Sequence, residues 1–312
     1  MEADGFPCGR NAPHSSKLRI REPFRNRKTR NKERKKRSRA GTSGPGEEGR
    51  LMQEHTFLIC AYKESPYLED CIRSLKAQTV KSDLLIATST PNRYISDLAE
   101  KYHIPLYVNE GESGIVQDWN FAYHQAKTPY VTIAHQDDVY YPEYAERMLK
   151  EMKGQKRPLI WFCDYEELRD GKAVRENRLL KVKRFLLLPL RIRAFWKSIF
   201  VRRRILSLGC PICCPSVSFA RENLPETVFR TGFRSDEDWE AWEMISRLKG
   251  SFLYEPKILM AHRIHEESET THILQDNERN KEDYTMYCKF WPKWIARILA
   301  RAYSEGEKSN DL

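Results

Sequence analysis

The chain has 312 residues, with 54 Lys+Arg against 44 Asp+Glu and a formal net charge of +10. That length suits one or two domains, and 40% hydrophobic with 11% aromatic residues exclude a wholly disordered or collagen-like chain. No apolar run reaches the roughly 18–20 residues of a spanning helix, no signal-type apolar segment is expected at the start, and eight unevenly spaced cysteines suggest a reducing cytosol rather than a disulfide scaffold.

The charge is unevenly placed. Residues 1–51 carry 15 Lys+Arg against 6 Asp+Glu, and residues 172–204 carry 12 basic residues against the single acid Glu176. Everything else from residue 52 onward nets −10, so an acidic body bears two basic appendages. The first appendage is rich in Arg, Lys, Asn, Ser, Gly and Pro and lacks apolar periodicity, so it is expected to be a disordered, solvated tail. Its Lys32–Arg39 run also suits nucleic acid or a localisation patch. Glu47-Glu48-Gly49 can be encoded by a purine run like a bacterial ribosome-binding site upstream of Met52. We therefore expect translation to begin at Met52, which N-terminal sequencing of the native protein tests.

From His55 the pattern becomes ordered. Thr56–Ala61 reads as a strand, followed by a helix with Leu68, Cys71, Ile72 and Leu75 on one face. Leu84–Ala87 is a second strand, and Ile95, Leu98, Ala99 and Tyr102 mark a second helix. Pro105–Val108, a helix through Trp119–Ala126 and a strand at Tyr130–Ala134 complete the alternation. Strand–helix alternation at this spacing implies βαβ units in a mostly parallel, doubly wound sheet. In such sheets ligands bind at the carboxyl ends of the strands.

His135-Gln136-Asp137-Asp138 stands at one such end. Adjacent carboxylates on a turn favour a cation such as Mg²⁺ or Mn²⁺; the alternative is an Asp pair capping a helix over Pro142–Met152. A second acidic cluster, Ser235-Asp236-Glu237-Asp238-Trp239-Glu240, opens a helix anchored by Trp239, Trp242, Ile245 and Leu248. Acids there suit the macrodipole, yet a carboxylate beside such bulk is also a plausible general base. Cys210-Pro211-Ile212-Cys213-Cys214 has no second ligand pair at zinc spacing, so partly buried thiols are expected.

In this order the segments resemble the inverting, bacterial-type family-2 glycosyltransferases of the GT-A fold, over roughly Thr56–Thr271. Cys60-Ala61-Tyr62-Lys63-Glu64-Ser65-Pro66 is similar to that family's first-strand motif, and Asp118-Trp119-Asn120-Phe121-Ala122 to the segment ahead of its metal strand. His135-Gln136-Asp137-Asp138 stands at its DxD-type motif, with His135 in place of the first Asp. Glu237-Asp238-Trp239-Glu240-Ala241-Trp242 matches its E-D-[YW]-[DE]-x-W signature.

The resemblance implies a nucleotide-sugar donor, Mg²⁺ or Mn²⁺ held by Asp138 and Asp137 with His265, and inversion at the anomeric carbon. It implies Asp238, with Glu237, as the catalytic carboxylates, and Ala61, Tyr62, Glu64, Ser89, Asn120 and Asp137 as donor contacts. Thr88-Ser89 replaces the acidic pair that commonly contacts the base, which leaves the nucleotide open. His262-Arg263-Ile264-His265 before Ser268–Thr271 resembles the family's R-x-H segment, with Arg263 offering a fork to phosphate.

Residues 172–204 interleave cations with Leu179, Leu180, Phe185–Leu188, Ile192, Phe195, Trp196, Ile199 and Phe200, broken at Pro189. Such an insertion suits an anionic membrane surface and a lipid-linked or envelope glycan acceptor; packing against the core is the equal alternative. The domain plan is thus a basic extension over 1–51, a GT-A domain over 52–271 and a helical tail over 272–312. We expect a cytoplasmic enzyme, peripheral on the inner face of the membrane, with no specific nucleic-acid partner. Competing readings are a nucleotidyl- or phosphoryl transferase, disfavoured by the glycine-free Tyr62-Lys63-Glu64-Ser65 loop, a nucleic-acid binder, and a catalytically inactive GT-A-like binder.

Overall fold

The computed structural model describes residues 53–265 and 278–308. The basic extension, the Met52 start and Ser268–Thr271 lie outside the described residues. The chain runs β1 (His55–Cys60), α1 (Leu68–Lys76), β2 (Asp83–Thr88), α2 (Arg93–Tyr102), β3 (Leu106–Val108), α3 (Ile115–Gln125) and β4 (Tyr130–His135). These are the alternating elements expected from the sequence, shifted by a few residues at their ends. On α1 the buried residues are Leu68, Cys71, Ile72 and Leu75, the stripe that the helical spacing dictates. Asn92 caps α2 by accepting from the Ile95 amide.

The second half is less regular: β5 (Val139–Tyr140), α4 (Tyr144–Lys153), β6 (Pro158–Arg169), β7 (Lys172–Val174), α5 (Arg178–Leu187), α6 (Ile199–Leu206), β8 (Val217–Ala220), α7 (Glu237–Ser246) and β9 (Ser251–Ile264). Two further helices follow, α8 (Glu278–Cys288) and α9 (Lys293–Lys308). Among the described residues the sheet order is β3-β2-β1-β4-β8-β6-β9-β5, with β7 paired to β6. The β1–β2, β1–β4, β2–β3 and β6–β9 pairs are parallel, whereas β8, β5 and β7 join antiparallel. The half that carries the βαβ units is therefore parallel throughout, and the sheet becomes mixed beyond β4.

β1 and β4 are central, so both faces are covered and their residues are nearly all buried. His55 sits among them, bonded to Ser82 Oγ and Thr132 Oγ1 at 2.9 Å each. Burial pulls its pKa down to about 3, so it is a neutral core group. Trp239 and Trp242 of α7 are fully buried, and Trp242 stacks on Phe219 of β8. Tyr287 of α8 and Tyr303 of α9 pack against Trp239. The described part of the C-terminal segment is thus seated on α7.

The 172–204 insertion has two faces. Leu180, Leu187, Leu190 and Trp196 are buried, whereas Phe185 and Phe200 are 70% and 72% exposed. Pro189 lies in a 3-10 turn over Leu188–Arg191, which ends α5. Five of the insertion's arginines turn back to the acidic body. Arg175, Arg184, Arg193 and Arg203 pair with Glu166, Asp164, Glu151 and Glu243. Arg202, 1% exposed, donates to the carbonyls of Ser246, the last residue of α7, and of Leu248 and Gly250 beyond it. Much of the basic block is therefore consumed internally.

Candidate active site at the carboxyl ends of β1 and β4

β1 and β4 end side by side, with Cys60 opposite His135 in the parallel register. The loops beyond them are locked together: Gln136 Oε1 accepts from the Tyr62 amide, and Gln136 Nε2 donates to the Tyr62 carbonyl, both at 3.0 Å. Lys63 beyond it takes a left-handed conformation (φ 54°), its amide donating to Thr90 Oγ1 at 2.6 Å. Ala61 is buried, while Tyr62 and Glu64 are exposed at the rim.

Below this rim lies the acidic cluster. Ligand atoms of His135, Asp137 and Asp138 all fall within 4.8 Å of one another. Asp138 is fully buried, and its Oδ1 accepts from His262 Nδ1 at 3.0 Å and from the Arg263 amide at 2.9 Å. Its Oδ2 has no hydrogen-bond partner and faces His135 Nδ1 at 4.0 Å. A buried carboxylate oxygen left unpaired is costly, and one positive ion at that point would satisfy it. Neither Asp caps a helix; Glu143 precedes α4 and makes no side-chain cap bond. The helix-cap alternative therefore fails.

Two carboxylates and an imidazole form a donor set that suits Mn²⁺ well and Mg²⁺ less well, since the nitrogen favours the softer ion. His135 is held flat by Trp119, whose ring stacks on it at 5.3 Å and 18°. Burial lowers the His135 pKa, partly opposed by Asp138 and Asp137, which keeps the ring neutral and able to ligate. His265 lies next to the cluster with its Nε2 3.1 Å from Asp137 Oδ2. The resemblance implies His265 as a ligand; the triad whose ligand atoms lie within 4.8 Å of one another also brings in His135, the residue that replaces the family's first Asp.

Arg263 closes the cluster from β9. Its Nε donates to the Asp137 carbonyl at 2.8 Å, and its guanidinium lies 4.1 Å above the Tyr67 ring. Asp118 is buried and holds Ser89 Oγ at 2.6 Å and Asn109 Nδ2 at 2.7 Å. Ser89 thus sits in a polar network beside the β2 end. Asn120 behaves differently: its amide donates to the Phe229 carbonyl at 2.7 Å and accepts from the Phe229 amide at 3.2 Å. Both ends of that side chain anchor the 229 loop.

The second acidic cluster opens α7. Asp238 is half-buried at the start of α7, accepting from the Trp239 amide at 2.6 Å, with Cys210 Sγ 3.7 and 3.8 Å from its two oxygens. Burial pushes its carboxyl above the usual carboxylate range, and Lys183 is the strongest charge opposing that rise. Glu237 beside it is buried. The charges of Lys183, Asp138 and Asp238 all act on the buried Cys213 thiol. Cys210, Cys213 and Cys214 are free thiols, as expected.

Sequence reasoning missed His135 as a candidate ligand, His262 as the group that orients Asp138, and Lys183. The signal for Lys183 was available: Leu180 and Leu187 are buried on α5, and a lysine occupies the same inward stripe between them.

The family model for glycosyl transferase family 2 matches residues 56–220. An uncharacterised glycosyltransferase of Rickettsia felis is 24% identical over 228 residues, covering 72% of this chain and 36% of that protein. The chain thus spans about a third of that curated relative's length. Among solved structures, S. aureus TarS 1–349 in complex with UDP-GlcNAc superposes with a TM-score of 0.54 at 14% identity, covering 83% of this chain and 73% of that one. The Pyrobaculum calidifontis mannosyltransferase PcManGT, in complex with GDP-Man and Mn²⁺, gives a TM-score of 0.52 at 13% identity, covering 81% and 70%. At these identities the two structures speak to the fold, which is GT-A.

Proposed function

The chain belongs to glycosyl transferase family 2, and from that premise we propose that it moves a sugar from a nucleotide-sugar donor to an acceptor hydroxyl, with inversion. The observation that carries this reading is the His135–Asp137–Asp138 triad at the carboxyl ends of β1 and β4, with one Asp138 oxygen buried and unpaired. Those three residues would hold Mn²⁺ or Mg²⁺. A cation bound there supplies positive charge to the departing nucleoside diphosphate.

The chain's own residues divide the rest of the work. His262 and the Arg263 amide fix Asp138 in place. The Arg263 guanidinium, stacked on Tyr67, offers its remaining N–H groups to phosphate. Ala61, Tyr62, Glu64 and Ser89 border the donor side. Asp238 accepts the proton of the acceptor hydroxyl, and its elevated pKa suits a base. The half-exposed Asp238 fits that role better than the buried Glu237.

The acceptor side is formed by the 172–204 insertion, and we assign it a peripheral contact with an anionic membrane that carries a lipid-linked or envelope glycan. Phe185, Phe200 and Trp294 are 70%, 72% and 68% exposed. Arg204 lies over both Phe200 (5.7 Å) and Trp291 (4.7 Å), which joins α6 to the start of α9 in one basic–aromatic surface. No helix among the described residues is long and apolar enough to cross a membrane.

Incubation with UDP-, GDP- and dTDP-sugars plus Mn²⁺ tests the reading. Release of nucleoside diphosphate from one donor class, lost in Asp138→Asn, supports it. Absence of release and of binding for every donor overturns it.

A further inference from the structure

α5 presents its two faces to two different environments. Val182 and Phe185 point to solvent, whereas Leu180 and Leu187 are buried. Lys183 lies on the inward stripe, three residues after Leu180 and four before Leu187, where helical spacing calls for an apolar side chain. The insertion thus turns an ammonium group inward, onto the Tyr165 hydroxyl of β6.

That ammonium is not spent there. Among the described residues its one hydrogen bond runs to the neutral phenol of Tyr165, at 3.0 Å. Tyr165 in turn meets the His262 ring edge-on at 6.3 Å. An ammonium carries three donors, so two remain. No carboxylate among the described residues comes within ion-pairing distance of it, although Asp238 is near enough to feel its charge. A half-buried cation with spare donors, close to a base but not paired with it, suits a second anion that the chain itself does not supply.

Its charge is felt by Asp238, Cys210 and Cys213, and also by His262, while the segment that carries it lies beyond β7 rather than at the β1 and β4 ends. We propose that Lys183 binds a phosphate carried by the acceptor, beside the hydroxyl that Asp238 deprotonates. The proposal rests on the sugar-transfer reading for the identity of the hydroxyl, and on the geometry of α5 for the anion site. Lysine meets phosphate as a compact point charge, and the contact would orient the acceptor so that its hydroxyl, rather than its phosphate, faces the base. It also assigns the acceptor to a phosphate-bearing class, such as a phosphorylated lipid carrier or a phosphodiester glycan.

The test uses the full chain and inorganic phosphate as the probe, in EDTA so that no cation occupies the triad. Thermal stabilisation is followed against phosphate concentration at constant ionic strength, for wild type, Lys183→Met, Lys183→Arg and the outward-facing Lys181→Met. Loss of a charged hydrogen bond predicts phosphate binding at least about tenfold weaker in Lys183→Met, with Lys183→Arg and Lys181→Met within about twofold of wild type. Lys183→Gln serves if the methionine variant does not fold. Coincident curves for wild type and both neutral variants overturn the proposal. So does a parallel loss of Mn²⁺-dependent nucleotide-sugar binding in those variants, which would move Lys183 to the donor side. Failure of the sugar-transfer reading has a different signature: no nucleotide-sugar shifts the wild-type protein, whatever the phosphate titration shows.

Discussion

His262 Nδ1 lies 3.0 Å from Asp138 Oδ1, and this contact, made from β9, leaves the other carboxylate oxygen of Asp138 aimed at His135. The pair joins a residue on the loop after β4 to one far along the chain, so the site is complete only once β9 is in place beside β6 and β5. Partners of this kind orient a ligating carboxylate and typically contribute 10–100-fold to metal affinity. His262→Ala should therefore weaken Mn²⁺ binding by roughly that factor, measured by titration calorimetry. An unchanged affinity would mean that Asp138 does not hold the ion.

The pH dependence of turnover should reveal Asp238. The groups facing it are Lys183, Arg279, Cys210 and Asp236, with Trp239 donating its amide. Burial raises its pKa above the ordinary carboxylate value of about 3.9. A base must be ionised to act, so activity is present above that raised pKa and is lost as pH falls through it. Lys183→Met removes the main opposing charge and should move the acid limb to still higher pH. An acid limb at the ordinary carboxylate position in both proteins would remove Asp238 from the role.

Arg202 shows how far a basic block can be structural. Its guanidinium serves three carbonyls at and beyond the end of α7 and lies 4.8 Å over the Phe252 ring. Arg202→Met should cost about 3 kcal/mol in denaturant unfolding, because buried carbonyls lose their donors. Arg202→Lys should recover only part of it, since a point charge cannot reach three acceptors in a fork.

The exposed aromatics make a separate prediction. Phe185→Ser combined with Phe200→Ser and Trp294→Ser removes three large apolar side chains from solvent-facing positions and should leave the melting temperature nearly unchanged. Flotation with vesicles rich in anionic lipid should fall several-fold relative to wild type. Equal flotation, or none by the wild type, would set the membrane contact aside.

Much of the N-terminal half was legible because its signals are local. Leu68, Cys71, Ile72 and Leu75 recur at helical spacing, and their burial on α1 follows directly. The acidic pair after β4 was legible for the same reason, being one turn after a buried strand. What escaped depends on long-range pairing. The antiparallel entry of β8 between β4 and β6 has no local signal, nor does the His262–Asp138 contact across 124 residues. Asn120 likewise shows what sequence does not carry: its amide bonds the Phe229 backbone at both ends, a contact across 109 residues. For residues 172–204 an outward surface and packing on the core were equal readings, because sequence alone does not show which acids lie opposite. Glu151, Asp164, Glu166 and Glu243 neutralise much of it.

The division of labour between the triad and α7 is tested most directly by measuring nucleotide-sugar binding and turnover together in Asp138→Ala and Asp238→Ala, each with Mn²⁺. We predict that Asp138→Ala loses Mn²⁺-dependent donor binding, whereas Asp238→Ala binds donor within about twofold of wild type and loses transfer by at least about a hundredfold. Equal donor binding in wild type and Asp138→Ala, or full transfer by Asp238→Ala, would contradict the assignment of metal to one carboxylate and base to the other.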